Sequence, residues 1–298
     1  MKKLLLLIVL ATCFATGFAQ QLHFMSQYLQ HNSMYNPAAA GMAGRDFVGA
    51  TYRSMWSTFP GNPKTMMVYA DVDWKKMDAG IGAYIYHDET GPTTRDGIQL
   101  AYSYRIRMRN PNNRLGLGIE FRALQFRVDK SKLIGALAND PVLAGASSKI
   151  KFDAGAGAYF TNGKISMGAA VQQLIQSRLN LATVPNATDE GRLYRQYNFI
   201  GNYRWHTGEQ IYVIPNFLIR VNPYAPTEWD YGVKLDYKDL LWWSLNLRVR
   251  QFWSIQVGFK LLQKIRFSYS YDINVTPLTE FNDHAGSHEI GLQFDLRK

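Results

Sequence analysis

Cysteine is nearly missing from this chain of 298 residues, which has only Cys13. That residue falls within 1–19, a stretch with the positive start, short apolar centre and small final residues of a secretory signal peptide. Its parts are Lys2 and Lys3, then 4–10, then Gly17 and Ala19. We expect cleavage after Ala19, which leaves a mature chain without any thiol. Thiol catalysis, cysteine-bound zinc and disulfide bonds are then excluded.

Long hydrophobic runs are missing too. The apolar stretch at 4–10 is shorter than the roughly 20 residues that a membrane-spanning helix needs, and no run after the signal reaches that length. Aromatic residues nevertheless make up 14% of the chain, and glycines number 24. Many aromatics and glycines without an apolar block are typical of an outer-membrane barrel wall, where lipid-facing and lumen-facing residues alternate.

Acidic residues are outnumbered, with 23 Asp and Glu against 33 Lys and Arg and a net charge of +10. Loss of Lys2 and Lys3 with the signal peptide lowers the net charge to +8. Nucleic-acid surfaces are basic, but here the chain is exported and its cations are scattered singly. We therefore expect no nucleic-acid partner. We assign the basic side chains to the lumen and rim of a barrel, beside outer-membrane lipid and lipopolysaccharide.

A period of two residues runs through the mature chain. In 253–261, Trp253, Ile255 and Val257 alternate with Ser254 and Gln256, which gives a β-strand one apolar and one polar face. The pattern recurs in segments of roughly ten residues, the length that a tilted strand needs to cross a membrane. The segments are 47–54, 65–74, 79–87, 98–108, 115–122, 150–160, 165–171, 193–206, 211–221, 228–237, 241–249, 253–261, 265–273 and 290–296.

The predicted fold class is therefore all-β: an antiparallel transmembrane barrel of the outer membrane with about fourteen strands. The barrel occupies 47–298, and a short irregular segment at 20–46 precedes it. The alternative is a soluble β-sandwich, whose strands are usually shorter, about 5–6 residues, and whose outer faces are polar. Strand length and the signal peptide favour the barrel.

The connections between the segments support this topology. Those after even-numbered strands are short and rich in turn-forming residues, and those after odd-numbered strands are mostly longer, as in barrels whose short turns face the periplasm. The expected short connections are 75–78, 109–113, 161–163, 207–209 and 238–239. The expected long ones are 55–64, 88–95, 127–148, 174–192 and 274–286, with 250–251 as the exception. We expect both termini in the periplasm.

Catalytic and metal-binding patterns are scarce. His284 and His288 lie four residues apart, but on a loop and a strand start rather than on a helix, so we predict no metal site. No G-x-S-x-G elbow is present. We predict no cofactor and no enzymatic activity, with an outer-membrane hydrolase kept as an alternative. Because charge facing lipid is costly, the charged residues of the strands are expected to point inward: Arg105, Arg107, Glu120, Arg122, Lys234, Arg248 and Lys260.

Two short motifs open the mature chain: Phe24-Met25-Ser26-Gln27-Tyr28 and Asn36-Pro37-Ala38-Ala39-Ala40-Gly41. They are similar to the start of the PorP/SprF family of type IX secretion system membrane proteins, which usually has a contiguous Phe-Ser-Gln-Tyr, so that Met25 is an insertion here. Further matches follow in the family's order across nearly the whole mature chain. They are Tyr52-Arg53, Trp56, Pro63-Lys64-Thr65, Asp88, Gly91-Pro92-Thr93, Tyr102-x-Tyr104-Arg105, Tyr269-x-Tyr271-Asp272 and Gly286-Ser287-His288-Glu289-Ile290.

The resemblance implies an outer-membrane barrel without an enzymatic site. Its role would be the export or attachment of cell-surface proteins, in some members gliding adhesins. Its partners would be components of the type IX secretion system and a secreted or surface-attached cargo protein. A porin, or a lipid or fatty-acid transporter, is the alternative function.

Two groups of matched residues are candidate contact sites. Those in or beside the outward connections predict a packed extracellular rim that holds a partner or cargo: Arg53, Trp56, Lys64, Asp88, His288 and Glu289. The irregular segment at 20–46 is the second candidate, expected to plug the lumen or to reach a periplasmic partner. Its candidate residues are Phe24, Gln27, Tyr28, Asn36 and Pro37.

Overall fold

The computed structural model describes residues 25–58, 60–110, 112–133, 150–179, 192–208, 210–275 and 285–296. Its strands are β1 Phe47–Ser54, β2 Lys64–Trp74, β3 Ala79–Thr90, β4 Thr93–Arg107, β5 Arg114–Val128, β6 Lys151–Thr161, β7 Ile165–Gln172, β8 Gln196–Tyr203, β9 Trp205–Gly208, β10 Ile211–Asn222, β11 Ala225–Tyr237, β12 Leu241–Arg248, β13 Phe252–Leu261, β14 Ile265–Asn274 and β15 Ser287–Asp295. Only Arg204 separates β8 from β9, and both pair with β10, so they form one wall strand. The predicted signal peptide and Phe24 lie outside the described residues.

The sheet closes on itself. Neighbouring strands are antiparallel, and β1 pairs with β15 from Phe47 opposite Asp295 to Ser54 opposite His288. On the other side, β10 pairs with β11. Among the described strands, closure leaves no edge with unpaired backbone groups, which are costly in hydrocarbon. The predicted antiparallel barrel of about fourteen strands is confirmed, with β8 and β9 counted as one.

The outer face of the wall is apolar and the inner face is polar. In β13, the outward Ile255 is 46% exposed, while its neighbours Ser254 and Gln256 are buried inside. Aromatic side chains stand near the ends of the outward rows, as Trp229, Tyr237 and Trp243 do, where they suit the headgroup level. Among the described residues, no helix has the length and apolar character to cross a membrane.

Tight connections gather at one end of the barrel, which is the periplasmic end in proteins of this kind. They join β2 to β3, β4 to β5, β6 to β7, β9 to β10, β11 to β12 and β13 to β14. In the β11–β12 turn, Lys238 and Asp239 both have positive φ, 56° and 57°. Two such residues in succession are typical of the turns whose twist matches that of a hairpin.

The opposite, extracellular end differs from expectation at one place. The long connection predicted at 88–95 is wrong, because β3 runs to Thr90 and β4 begins at Thr93. Only Gly91 and Pro92 lie between them, and Thr90 pairs with Thr93. This hairpin continues the wall outward instead of ending in a loop. Most of the predicted connections at 127–148 and 174–192, and much of 274–286, lie outside the described residues.

Residues 25–46, here called the N-terminal segment, lie inside the barrel. The segment has three short helical turns, Tyr28–Gln30, Asn32–Tyr35 and Pro37–Ala39. It starts beside Asp272, near the extracellular end of β14. It ends at Asp46, which accepts a hydrogen bond from the backbone N–H of Asp73 near the periplasmic end of β2. The first strand, β1, begins at the end that carries the tight connections, and Ser26 lies near the opposite end of the lumen. The predicted start of the mature chain, Gln20, lies outside the described residues.

Candidate functional site

The start of the N-terminal segment is held by a buried arginine of the wall. The Arg53 guanidinium is 1% exposed and lies 2.5 Å from Asp272 Oδ2 and 3.0 Å from Glu289 Oε2. It also donates to Ser26 Oγ over 2.7 Å. The backbone N–H of Ser26 donates to the same Glu289 carboxylate over 2.7 Å. One guanidinium thus compensates two buried carboxylates, and Ser26 completes a cluster that ties the segment to β1, β14 and β15.

A second buried arginine lies on β12 and pairs with a carboxylate of β11. Arg248 is fully buried and makes a bidentate pair with Asp230, with Nε 2.9 Å from Oδ1 and Nη2 2.9 Å from Oδ2. The planar fork of an arginine fits a carboxylate in this way. Near this pair, the Tyr28 hydroxyl donates to Asn216 Oδ1 over 2.5 Å. The segment is therefore also fixed to β10.

Amide side chains of the wall bind the backbone of the segment in the middle of the lumen. Gln172 Nε2 donates to Met34 O over 2.8 Å, and Asn198 Nδ2 donates to Tyr35 O over 2.8 Å. These bonds satisfy carbonyl groups at the end of a short helical turn, which would otherwise be buried without partners. The Glu120 carboxylate lies beside them and accepts from Gln99 over 2.8 Å. The wall thus supplies donors where the segment presents acceptors.

The second motif of the segment fits a groove lined by wall glycines. A Cβ placed on Gly80 would lie 2.0 Å from Ala40 O, and one on Gly118 would lie 2.3 Å from Ala38 N. Contacts this short leave no room for any side chain at either position. Further glycines of the groove, each with a hypothetical Cβ within 3.2 Å of the segment, are Gly82, Gly116, Gly157 and Gly168.

Asn36 is the polar anchor of that groove. Its Nδ2 donates to Ala158 O over 2.9 Å and to Ala169 O over 3.3 Å. Its Oδ1 accepts from the backbone N–H of Ala38 over 3.0 Å, which caps the turn that Pro37 begins. One side chain therefore organises the turn and bonds it to β6 and β7.

Apolar and aromatic side chains fill much of the remaining space. Met25, Tyr28, Met34 and Tyr35 of the segment belong to one buried cluster with residues of the wall. His31 meets the Tyr69 ring edge-on, with centroids 4.6 Å apart. The wall members of the cluster are Phe47, Met67, Tyr69, Tyr84, Tyr86, Tyr159, Ile200 and Leu218. An apolar core inside a barrel, in addition to polar anchors, gives the segment a buried surface of its own.

The inward direction predicted for charged residues is seen at Glu120, Arg122 and Arg248, which are buried. Arg105 is bonded to Asp73, and Lys234 lies 3.3 Å from Asp236, both on the lumen side. Lys260 also points inward, toward Asp239 and Asp295. The side chain of Arg107 lies outside the described residues.

The residues predicted for an extracellular rim do not form one cluster. The predicted rim position is corrected for Arg53 and Glu289. Both are buried in the lumen, where their charges compensate each other. Asp88 faces inward at the mouth and accepts from Thr65 Oγ1 over 2.6 Å. Lys64 and His288 point to the outer face, and His288 Nδ1 lies 2.8 Å from the Tyr269 hydroxyl. Trp56 lies in the β1–β2 connection with a positive φ of 49°.

Among the described residues, the β1–β2 connection, the β3–β4 turn and the adjoining ends of β5 and β15 are nevertheless packed against one another, and we call them the rim. Hydrogen bonds donated by backbone N–H groups join the start of β15 to the β1–β2 connection, that connection to the β3–β4 turn, and that turn to the end of β5. In this order they are Trp56 N to Ser287 Oγ (3.3 Å), Ser57 N to Gly286 O (3.3 Å), Gly91 N to Gly61 O (2.8 Å) and Asp129 N to Pro92 O (2.7 Å).

Four of the residues predicted for the N-terminal site are described, and all four contact the wall. The backbone N–H of Gln27 donates to the Glu289 carboxylate (3.3 Å), and the side-chain amide of Gln27 donates to the backbone carbonyl of Glu289 (3.4 Å). Tyr28 and Asn36 make the bonds given above, and Pro37 starts the turn in the glycine groove. His284 lies outside the described residues. Within the described ranges, no group of three or more His, Cys, Asp or Glu side chains is placed to hold a metal ion.

A closed antiparallel wall with an apolar outer face and a polar interior defines an outer-membrane β-barrel. Among solved structures, the toluene transporter TbuX of Ralstonia pickettii is 8% identical with a TM-score of 0.50, over 89% of this chain and 93% of that one. Omp33 of Acinetobacter baumannii is 5% identical with a TM-score of 0.49, over 85% and 98%. Identities this low show the fold alone. The comparison with curated proteins gave no match.

The family follows from the sequence itself. The model of the family described as "Type IX secretion system membrane protein PorP/SprF" matches residues 17–294, and the chain belongs to this family. The resemblance stated from the motifs is thereby confirmed. Family and fold are those of an outer-membrane secretion protein and not of an enzyme class, and membership implies association with other components of the type IX secretion system.

Proposed function

We propose that this barrel supports the export or surface attachment of cargo proteins by binding partners, and that it does not act as a diffusion channel. The observation that carries the proposal is the occupied lumen. The N-terminal segment is bonded to the wall at its start by Arg53 and Glu289 and in its middle by Gln172 and Asn198. A barrel whose lumen is filled by its own N-terminal segment suits a scaffold better than a pore.

The rim is the surface that we assign to cargo. Gly61 and Gly91 have positive φ, and a Cβ on Gly61 would lie 3.2 Å from the Gly91 Cα. This close contact fixes the β1–β2 connection against the tip of the β3–β4 hairpin. Trp56 stands in the same connection in a backbone conformation that is uncommon for a bulky residue, as is frequent at sites of recognition. A rigid, packed rim presents a constant surface to a partner.

The test is replacement of the hairpin tip. Residues 88–93 are exchanged for another six-residue tight turn in the full-length chain, and a matched variant carries the same exchange at 160–165, around the periplasmic turn between β6 and β7. Surface display of a tagged cargo protein is then measured on intact cells, and folding is checked by the heat-dependent mobility of the barrel on gels. We expect loss of display in the first variant alone. Normal display with the extracellular tip replaced and the barrel folded would sink the proposal.

A further inference from the structure

A large cavity opens at the periplasmic end of the barrel, below the N-terminal segment. Its volume is about 1070 Å³. Residues from the segment and from the periplasmic turns line it, among them Arg45, Lys75, Arg204, Tyr212 and Lys238. We call this cavity the vestibule. It lies apart from the rim, at the other end of the molecule.

The carboxylates that line the vestibule have partners. Asp73 is paired with Arg105, and Asp46 accepts from the backbone N–H of Asp73. Asp239 accepts from Arg266 over 2.7 and 2.9 Å and lies 3.3 Å from Lys260 Nζ. Asp295 lies 2.5 Å from Arg45 Nη1 and 3.2 Å from Arg266 Nε. These pairs hold the rigid part of the lining and leave little negative charge for an incoming cation.

Three cations of the lining have no carboxylate partner among the residues that the structure describes: Lys75, Arg204 and Lys238. The Arg204 guanidinium lies over the Tyr212 ring at 3.9 Å from the centroid, and its buried Nε donates to no described acceptor. Stacking fixes the plane of the guanidinium and leaves its donors for another group. The vestibule thus combines a preformed arginine with the ammonium groups of Lys75 and Lys238, of which Lys238 Nζ also lies 5.1 Å from the centroid of the Tyr237 ring.

The N-terminal segment borders the vestibule, to which it contributes Ala43, Gly44, Arg45 and Asp46. A narrower cavity of about 270 Å³ continues inward and shares Arg45 and Arg204 with the vestibule. That cavity reaches Asn32 and Ser33 of the N-terminal segment. The Ser33 hydroxyl donates a hydrogen bond to Asp71 of the wall. A ligand that enters from the periplasm therefore meets the N-terminal segment. We therefore treat the vestibule as a binding site and not as part of a channel through the barrel.

We propose that the vestibule binds an acidic segment of a periplasmic polypeptide, an inference that rests on the proposed role as a partner-binding component of a secretion system. The volume is at the upper limit of small-molecule sites, about 300–1000 Å³. The paired carboxylates in the lining disfavour a dense polyanion, whereas carboxylates spaced along a peptide can meet Lys75, Arg204 and Lys238 separately. Leu240 and Tyr212 offer apolar contact to the intervening residues.

The test uses the full-length barrel in a zwitterionic detergent and a fluorescent peptide of alternating glutamate and serine. Binding is measured by anisotropy for the parent and for a double variant, Arg204→Gln with Lys238→Gln. The control double variant, Lys64→Gln with Lys132→Gln, removes the same charge from exposed positions at the extracellular end. We expect binding to weaken by at least roughly tenfold in the first variant only, as the loss of two charge-assisted contacts predicts.

Three results would overturn the inference: no saturable binding by the parent, equal weakening in both double variants, or displacement of the peptide by inorganic phosphate or free glutamate at equal concentration. The last result would mean a site for small anions only. Peptide binding is measured without cargo, so its failure leaves the proposed function standing. Conversely, peptide binding together with normal cargo display in the rim variant would overturn the proposed function alone.

Discussion

At the scale of single residues, Arg53 decides how the N-terminal segment is held. Its guanidinium is the shared partner of Asp272, Glu289 and Ser26. Arg53→Met keeps much of the volume and leaves two buried carboxylates uncompensated, which should cost about 3–5 kcal/mol of stability. We expect a lower urea midpoint for the folded barrel. Arg127→Gln is the control, because Arg127 is paired with Asp96 but is 51% exposed, and it should cost about 1 kcal/mol or less. Equal losses in the two variants would contradict the assigned role.

Asp239 is the residue whose protonation affects the periplasmic end. Burial would raise the pKa of its carboxyl, but the hydrogen bonds and charge of Arg266, with Lys260 beside it, outweigh burial and lower the pKa to about 2. A carboxyl with a depressed pKa stabilises the folded state above its unfolded pKa of about 3.9, and this stabilisation is lost as the pH falls through about 2.

We therefore expect Asp239→Asn to melt at a lower temperature than the parent at neutral pH. The difference should persist to about pH 4 and shrink toward pH 2, where the parent carboxyl becomes protonated. Thermal unfolding of both proteins across this range measures it. A difference that vanishes already near pH 5 would show that the carboxyl has no such ion pairs in solution.

At the scale of elements, the strands could be predicted from the sequence, whereas for the N-terminal segment only its irregular character and two alternative locations, the lumen or a periplasmic partner, could be proposed, and none of its contacts. Alternation is local, so each strand is visible in about ten residues, even β13 or β14 alone. The segment has no such period, and its contacts come from residues far along the chain, as in the bond from Ser26 to Asp272. The motif Tyr269-x-Tyr271-Asp272 contained the one available signal, since Asp272 lies on the polar face where Arg53 meets it.

The groove for the second motif gives a test at this scale. Gly80→Ala places a methyl group on the backbone of Ala40, where no flexible atom can move aside. We expect a loss of stability of about 1–3 kcal/mol from overpacking, measured as a shift of the urea midpoint. Gly208→Ala is the matched control, because a Cβ there meets nothing within 4 Å. Unchanged stability in both would show that the segment does not occupy the groove tightly.

At the scale of the whole molecule, the wall depends on a local sequence pattern, whereas the packing of the lumen depends on contacts between distant residues. The wall needs only a period of two and turns of the right length, which explains why its strand number follows from the sequence. The lumen depends on which inward residues meet after closure, and closure pairs β1 with β15 across the length of the chain. The rim prediction failed for Arg53 and Glu289 for this reason: both stand near the extracellular strand ends, yet their inward direction makes them lumen residues.

The occupied lumen predicts the electrical behaviour of the whole barrel. The purified full-length protein in planar bilayers should show no steady conductance, because the N-terminal segment, its aromatic cluster and the Arg53 cluster fill the section that ions would cross. Combining Arg53→Met with Asn36→Ala removes anchors at the start and the middle of the segment, and should produce intermittent channels while the wall stays folded. The single variant Arg127→Gln should remain silent. Steady, open channels from the parent protein would favour the porin alternative over a scaffold, since a segment that lets ions pass freely cannot be closing the lumen.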